Sequence, residues 1–146
     1  MTFYHNYNLI IVTCISIAIT QLIKVINHLI VYKKINFMRF VETGGMPSSH
    51  SSSSSTLATL VAMRSGISSV SFAIILFFAL FIMYEAAGVR RAAGDQAKIL
   101  NDIVDNLVYT HKPVNDKKLK ELIGHTPTEV IMGCILGIII ACAFYR

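Results

Sequence analysis

Phe72-Ala73-Ile74-Ile75-Leu76-Phe77-Phe78-Ala79-Leu80-Phe81-Ile82-Met83 contains no charged and no hydrogen-bonding side chain. As a helix it has no polar face to show to water, so it must lie in protein or in lipid. It sits within a longer segment, Ser68 to Val89, long enough to cross a bilayer at about 1.5 Å per residue. Two further stretches read the same way. Residues 8–31 form an apolar run broken by Gln21, Lys24, Asn27 and His28, with a reach of roughly 36 Å. The last runs from Pro127 to about Tyr145, with Gly133 and Gly137 at a spacing that permits close helix packing. Between the first and the central run lies a weaker candidate. Leu57–Met63 is apolar but follows the serines Ser51 to Ser55. Counted from Ser49, it is long enough for a span only if its serine-rich first turns are covered by protein or by the interface.

The whole chain agrees. Its 146 residues are 54% hydrophobic and 14% charged, with mean hydropathy +0.60, against roughly 25% charged residues in a soluble domain. That excludes intrinsic disorder and an ordinary water-soluble globule. It also argues against a nucleic-acid module despite the net charge of +5, which on so apolar a chain fits basic loops at an anionic membrane surface. The expected fold is all-α: a polytopic membrane helix bundle of about four spans, one domain over 1–146, plus one amphipathic cytoplasmic helix. The N-terminus lacks a basic n-region and a cleavage site, so the first run reads as a retained span. Cys14, Cys134 and Cys142 lie in apolar runs, without metal-type spacing or a disulfide framework.

The amphipathic helix is expected from Gln96 to His111, ended by Lys112-Pro113. Ala97, Leu100, Ile103, Val104, Leu107 and Val108 recur at helical spacing between Lys98, Asp102 and Asp105. Such a face serves either helix–helix packing, including a homodimer, or a membrane surface. Charge gives an orientation. The loop after the first span and the segment after the third hold ten of the 13 Lys and Arg residues, which places both in the cytoplasm and both termini outside.

The chemistry-bearing residues gather on that side. His50, Arg90 and His125 fall at polar ends of hydrophobic helices, and Lys24 lies roughly 10 Å below the basic end of the first span. Gln21, Lys24 and His28 share one face of that span; snorkelling to the headgroups is the alternative use of Lys24. Two histidines with an arginine and a lysine suit an oxyanion, most simply phosphate. Pro47-Ser48-Ser49-His50 opens a helix, whose free N–H groups and dipole favour an anion; a plain serine cap is the alternative. Thr126-Pro127-Thr128-Glu129 is by itself a capping box. It leaves His125 unexplained. A carboxylate four residues on can hold one ring N–H and free the other nitrogen for attack on phosphorus. Glu85, near the membrane boundary, is costly without a partner and can pair with an arginine or lysine of the same pocket. Arg90 and Arg91 otherwise read as interfacial anchors.

Three segments carry a resemblance: Gly44-Gly45-Met46-Pro47-Ser48-Ser49-His50-Ser51, then Met83-Tyr84-Glu85-Ala86-Ala87-Gly88-Val89-Arg90-Arg91, then Leu119-Lys120-Glu121-Leu122-Ile123-Gly124-His125-Thr126-Pro127-Thr128-Glu129-Val130. Together they resemble the divergent type 2 phosphatidic acid phosphatase family, related to acid phosphatases and vanadium-dependent haloperoxidases, over essentially the whole chain. The resemblance implies a membrane phosphatase acting on a lipid phosphate or diphosphate at the cytoplasmic interface, through a phosphohistidine and without metal or cofactor. Phosphatidic acid, phosphatidylglycerophosphate and a polyprenyl (di)phosphate are the candidate substrates. His125 takes the place of the nucleophile, Glu129 of the carboxylate that orients it, and His50 of the general acid. Ser48, Ser49 and nearby N–H groups take that of the phosphoryl ligands. The sequence departs from the wider superfamily at Ser49, which stands in place of a glycine in the second motif, and in two further places. Leu119 stands where an arginine precedes the nucleophile, flanked by Lys118 and Lys120. In the first motif Lys33 and Arg39 are one residue too close, with Phe40 for proline. Arg90, Arg91 and Lys24 are the candidates to supply the positive charge. The alternative function is a catalytically silent protein that binds lipid phosphate.

Overall fold

The computed structural model describes residues 2–33, 44–108, 119 and 124–145. Five helices appear among them: α1 (Thr2–Tyr32), α2 (Ser49–Ser65), α3 (Val70–Ala87), α4 (Val89–Val108) and α5 (Pro127–Phe144). The basic stretch from Lys34 to Arg39, the helix end at Lys112-Pro113 and the charges at Lys117, Lys118, Lys120 and Glu121 lie outside the described residues.

Among the described residues three helical segments are long and apolar enough to cross a membrane: Leu9–Tyr32, the stretch beginning at Val70, and Pro127–Phe144. α2, counted in the sequence as a fourth span, differs from them. It has 17 residues, about 26 Å of helix, and its first turns are serine. The structure satisfies the condition set for it. α2 is the central helix, packed against α1, α3 and α5, and Ser51, Ser52, Ser54 and Ser55 are buried in protein.

The interior is polar and the exterior oily. Thr20, Thr56, Ser16, Ser48, Ser51 and Ser52 are the largest fully buried side chains, whereas Phe77 is 65% and Leu80 57% exposed. Lipid can solvate the latter; the hydroxyls must find partners inside, because hydrocarbon offers none. Along the bundle axis the interior changes in three tiers. At one end lie Lys24, His50 and His125. In the middle, Ser16 of α1 shares a 2.8 Å hydrogen bond with Ser52 of α2. Thr56 Oγ1 lies 2.9 Å from Ser16 Oγ, 2.7 Å from the Ser52 carbonyl and 3.0 Å from the Gly137 carbonyl of α5. Ser55 donates to the Cys134 carbonyl at 3.0 Å. At the far end Val12, Leu60, Ile140 and Ala141 form an apolar cluster.

α5 approaches α2 this closely because it carries glycines. A Cβ at Gly133 would collide with the Ser48 carbonyl, and one at Gly137 with the Ser55 hydroxyl and the Ser52 carbonyl. The spacing noted in the sequence is thus a groove into which the serine helix fits. α4 starts at Val89, directly after Gly88, and not at Gln96 as expected. Its first turns, through Ala92, Ala93 and Gly94, lack the apolar recurrence that marks the rest.

Candidate functional site

Backbone contacts hold the starts of α2 and α5 and the end of α3 together. The Ser48 N–H donates to the Glu129 carbonyl at 3.1 Å, and the His125 N–H to the Ala86 carbonyl at 3.0 Å. Gly124, with φ of 112°, lets the chain pass directly over the Arg90–Arg91 backbone, where a Cβ would collide with Arg91 N. That fixes His125 beside the α3–α4 junction. The result brings His50 and His125 to 6.0 Å between ring centroids, inclined by 62°.

Each ring has one nitrogen in use. His125, 2% exposed, has its Nδ1 3.2 Å from Glu129 Oε2. A carboxylate only accepts, so Nδ1 carries the proton and Nε2 keeps its lone pair. That Nε2 is buried and makes no hydrogen bond. On the other ring, Arg90 Nη1 lies 3.4 Å from His50 Nε2. A guanidinium only donates, so here Nε2 holds the lone pair and Nδ1 the proton. His50 Nδ1 is likewise buried without a partner. Arg90 also pairs with Glu85 at 3.5 Å, both half-exposed.

Glu129 joins two readings that were alternatives in the sequence. The capping box forms in full, with the Thr126 side chain on the Glu129 N–H and the Glu129 side chain on the Thr126 N–H. The oxygen that receives Thr126 N at 3.0 Å is Oε2, which also receives His125. One carboxylate oxygen starts the helix and orients the imidazole.

Lys24 does not snorkel. It is 4% exposed, on the strip of α1 formed by Val12, Ser16 and Thr20, four residues apart, that faces α2. The hydroxyl pairing of Ser16 with Ser52 sets the register that leaves Lys24 level with the histidines. Its charge acts on His125: burial first, then Lys24, holds that imidazole below its ordinary pKa of 6.5, against the pull of Glu129 and the Gly45 carbonyl. That favours the neutral imidazole. Lys24 also lines a cavity of about 380 Å³ between the end of α1 and Gly44–Met46.

The other residues singled out in the sequence divide. Ser48 caps α2, its hydroxyl receiving Ser51 N at 3.3 Å and Ser51 Oγ at 3.1 Å, and Ser49 is buried beside it. Arg91 is exposed and is not brought to the histidines. Leu119 is 49% exposed, its backbone N–H and carbonyl both bound by the Asn101 side chain at 2.9 Å. Ser16, Thr20 and Thr56, which align the helices below the site, were not singled out. Hydroxyls four residues apart in phase with Lys24 were the signal for the first two.

Among the described residues no group of three or more His, Cys, Asp and Glu side chains is arranged to hold a metal. What the described residues bring together is two facing imidazoles, His50 and His125, with Arg90 and Lys24 beside them.

The model of the divergent PAP2 family matches residues 5–140. The chain belongs to the divergent PAP2 family. The relatives of this divergent PAP2 protein include the uncharacterized membrane protein YuiD of Bacillus subtilis (strain 168). The two are 40% identical over 135 residues, covering 86% of this chain and 85% of that one. No solved structure matches this divergent PAP2 chain.

Proposed function

We propose that the protein is a membrane phosphatase that hydrolyses a lipid phosphate or diphosphate through a phosphohistidine at the cytoplasmic interface. The observation that carries this reading is the pair of buried ring nitrogens without partners, His125 Nε2 and His50 Nδ1, in rings 6.0 Å apart. Family membership supports it. A bound phosphate would be a better acceptor for Arg90 than His50 Nε2, and its negative charge would favour protonation of the released imidazole. Lys24, Arg90, Ser48, Ser49 and the first N–H groups of α2 would hold the phosphoryl oxygens, where fixed positive charge lowers the barrier most.

In the first step the His125 Nε2 lone pair forms a bond to phosphorus as the ester P–O bond breaks. The leaving oxygen takes the proton of the His50 imidazolium. In the second, neutral His50 takes a proton from water, whose oxygen bonds to phosphorus as the P–N bond breaks. Inorganic phosphate leaves and both histidines return to their starting states. Glu129 keeps the His125 proton on Nδ1 throughout. Positive-inside charge supports the cytoplasmic side and external termini. A cysteine in place of Asn115 should resist an impermeant thiol reagent in intact cells; labelling from outside would reverse that orientation.

A second reading, a silent protein that binds lipid phosphate, draws on one observation. Leu119, where the superfamily carries an arginine, faces outward and is fixed by its backbone to Asn101. Purified protein with phosphorylated lipids in detergent and EDTA separates the two. Phosphate release and an acid-labile phosphoryl adduct, both lost in His125→Ala, are expected of the enzyme. Binding retained by wild type with no release from phosphatidic acid, phosphatidylglycerophosphate or polyprenyl phosphates would favour the second reading.

A further inference from the structure

With about 3.6 residues per turn, α4 divides into three lengthwise strips. Gly94, Ala97 and Asn101 are buried; Asn101 binds Leu119, and Arg90 on the same side reaches His50. Arg91, Asp95, Lys98 and Asp102 form an exposed polar strip. The third strip is mostly apolar and open: Val89 is 65% exposed, Ile99 58%, Leu100 49% and Ile103 49%, with Ala92 and Ala93 exposed between them and Gln96 as its one polar side chain, also exposed.

We propose that this third strip lies in the headgroup layer of the membrane, so that α4 is an interfacial helix and not a free cytoplasmic rod. Three observations select lipid as its occupant. α4 follows α3 after a single break at Gly88, so its first turn begins where a spanning helix leaves the bilayer. The strip follows in the chain on the exposed apolar surface of α3, which includes Phe77, Phe78, Phe81 and Tyr84, each at least 54% exposed. The polar strip presents both signs of charge, acids and bases in equal number, and so offers no basic surface for a nucleic acid or an acidic protein.

That balance has a consequence. Helices of this kind bind through apolar burial plus attraction of Lys and Arg to anionic lipid. Here the second contribution cancels, so insertion rests on the apolar strip alone. It will hold on neutral lipid and in high salt. The docked helix fixes Arg90, in its first turn, at headgroup level beside His50.

The test is a set of single-cysteine proteins in which Cys14, Cys134 and Cys142 are replaced by alanine. One cysteine is placed at Lys98, Leu100, Asp102 or Ile103, and each carries an environment-sensitive fluorophore. The proteins are reconstituted in vesicles of phosphatidylcholine alone. Labels at Leu100 and Ile103 should emit blue-shifted and be quenched by nitroxide-bearing lipid. Labels at Lys98 and Asp102 should be quenched by iodide instead. The pattern should be unchanged in high salt or with added phosphatidylglycerol. Iodide quenching of all four labels alike would overturn the proposal. So would shielding of Leu100 and Ile103 that ignores lipid nitroxide and grows with protein density, the sign of a second copy on the strip. Shielding that appears only with anionic lipid would overturn the charge-balance argument. Because four positions are compared in alternation, one variant that misfolds does not decide the outcome.

Discussion

Replacing Glu129 separates the two duties of its Oε2. In Glu129→Ala the His125 Nδ1 proton, 3.2 Å from that oxygen, loses its acceptor in a site where His125 is 2% exposed. A hydrogen bond to a charged group is worth about 1.5–3 kcal/mol. If all of it acts in the transition state, phosphate release falls about tenfold to about a hundredfold, at roughly 1.4 kcal/mol per decade. The lost capping-box bond from the Thr126 N–H costs the fold about 0.5–1.5 kcal/mol besides, while Thr126 still caps the helix. Glu129→Gln puts a neutral acceptor in the same place. Hydrogen bonds to neutral partners are about half as strong, so the loss should be only about three- to tenfold, with the cap retained. The assay is initial-rate phosphate release from phosphatidic acid in mixed micelles, beside a thermal unfolding curve in the same detergent. Full activity in Glu129→Ala would refute the orientation of His125 by Glu129. So would a Glu129→Gln protein as inactive as Glu129→Ala but as stable as wild type, since the neutral acceptor would then do nothing.

Other expectations follow from the same geometry. Burial and Lys24 keep His125 below its ordinary pKa of 6.5; a lowered value means the neutral nucleophile persists as pH falls, so the acid limb of kcat/KM should lie below 6.5 and move upward in Lys24→Met. Gly137→Ala places a methyl against Ser55 and Ser52 and should destabilise the bundle by about 1–3 kcal/mol, as overpacking does, read from detergent unfolding. Thr56→Val keeps the volume but removes the hydroxyl between Ser16 and the Gly137 carbonyl; about 0.6–1.7 kcal/mol of stability should go, the range of hydrogen bonds between membrane helices. Arg90→Lys cannot span His50 and Glu85 with one planar fork and should weaken phosphate-dependent steps more than it weakens the fold, seen as a rise in KM without a lower unfolding temperature.

Much of the architecture is legible in the sequence because lipid imposes simple rules. Residues Phe72–Met83 offer water nothing, and the structure leaves most of them facing outward. The capping box and the Gly133–Gly137 spacing are local patterns whose partners lie within a few residues or on one facing helix. Other features depend on what arrives from elsewhere. Lys24 read alone is equally suited to snorkelling or to burial; α2 decides it, by turning serines toward Ser16 and holding that face of α1 inside. The start of α4 at Val89 was hidden because Ala92, Ala93 and Gly94 have too little hydrophobic contrast to show a period. The convergence of His50 and His125 was expected from their positions at helix ends. The opposite tautomers their neighbours impose, by contrast, appear only when Arg90 and Glu129 are seen on the two rings.

The graded interior has a further meaning for the membrane. A column of hydroxyls reaching inward from a charged pocket is the beginning of a conduit, along which water and protons would hop if it continued. It stops at Val12, Leu60, Ile140 and Ala141. Those side chains plug the far third of the bundle with hydrocarbon, which no ion enters cheaply. A charged pocket at one end of the bundle is thus sealed from the other end by hydrocarbon, and the polar interior offers ions no through-path.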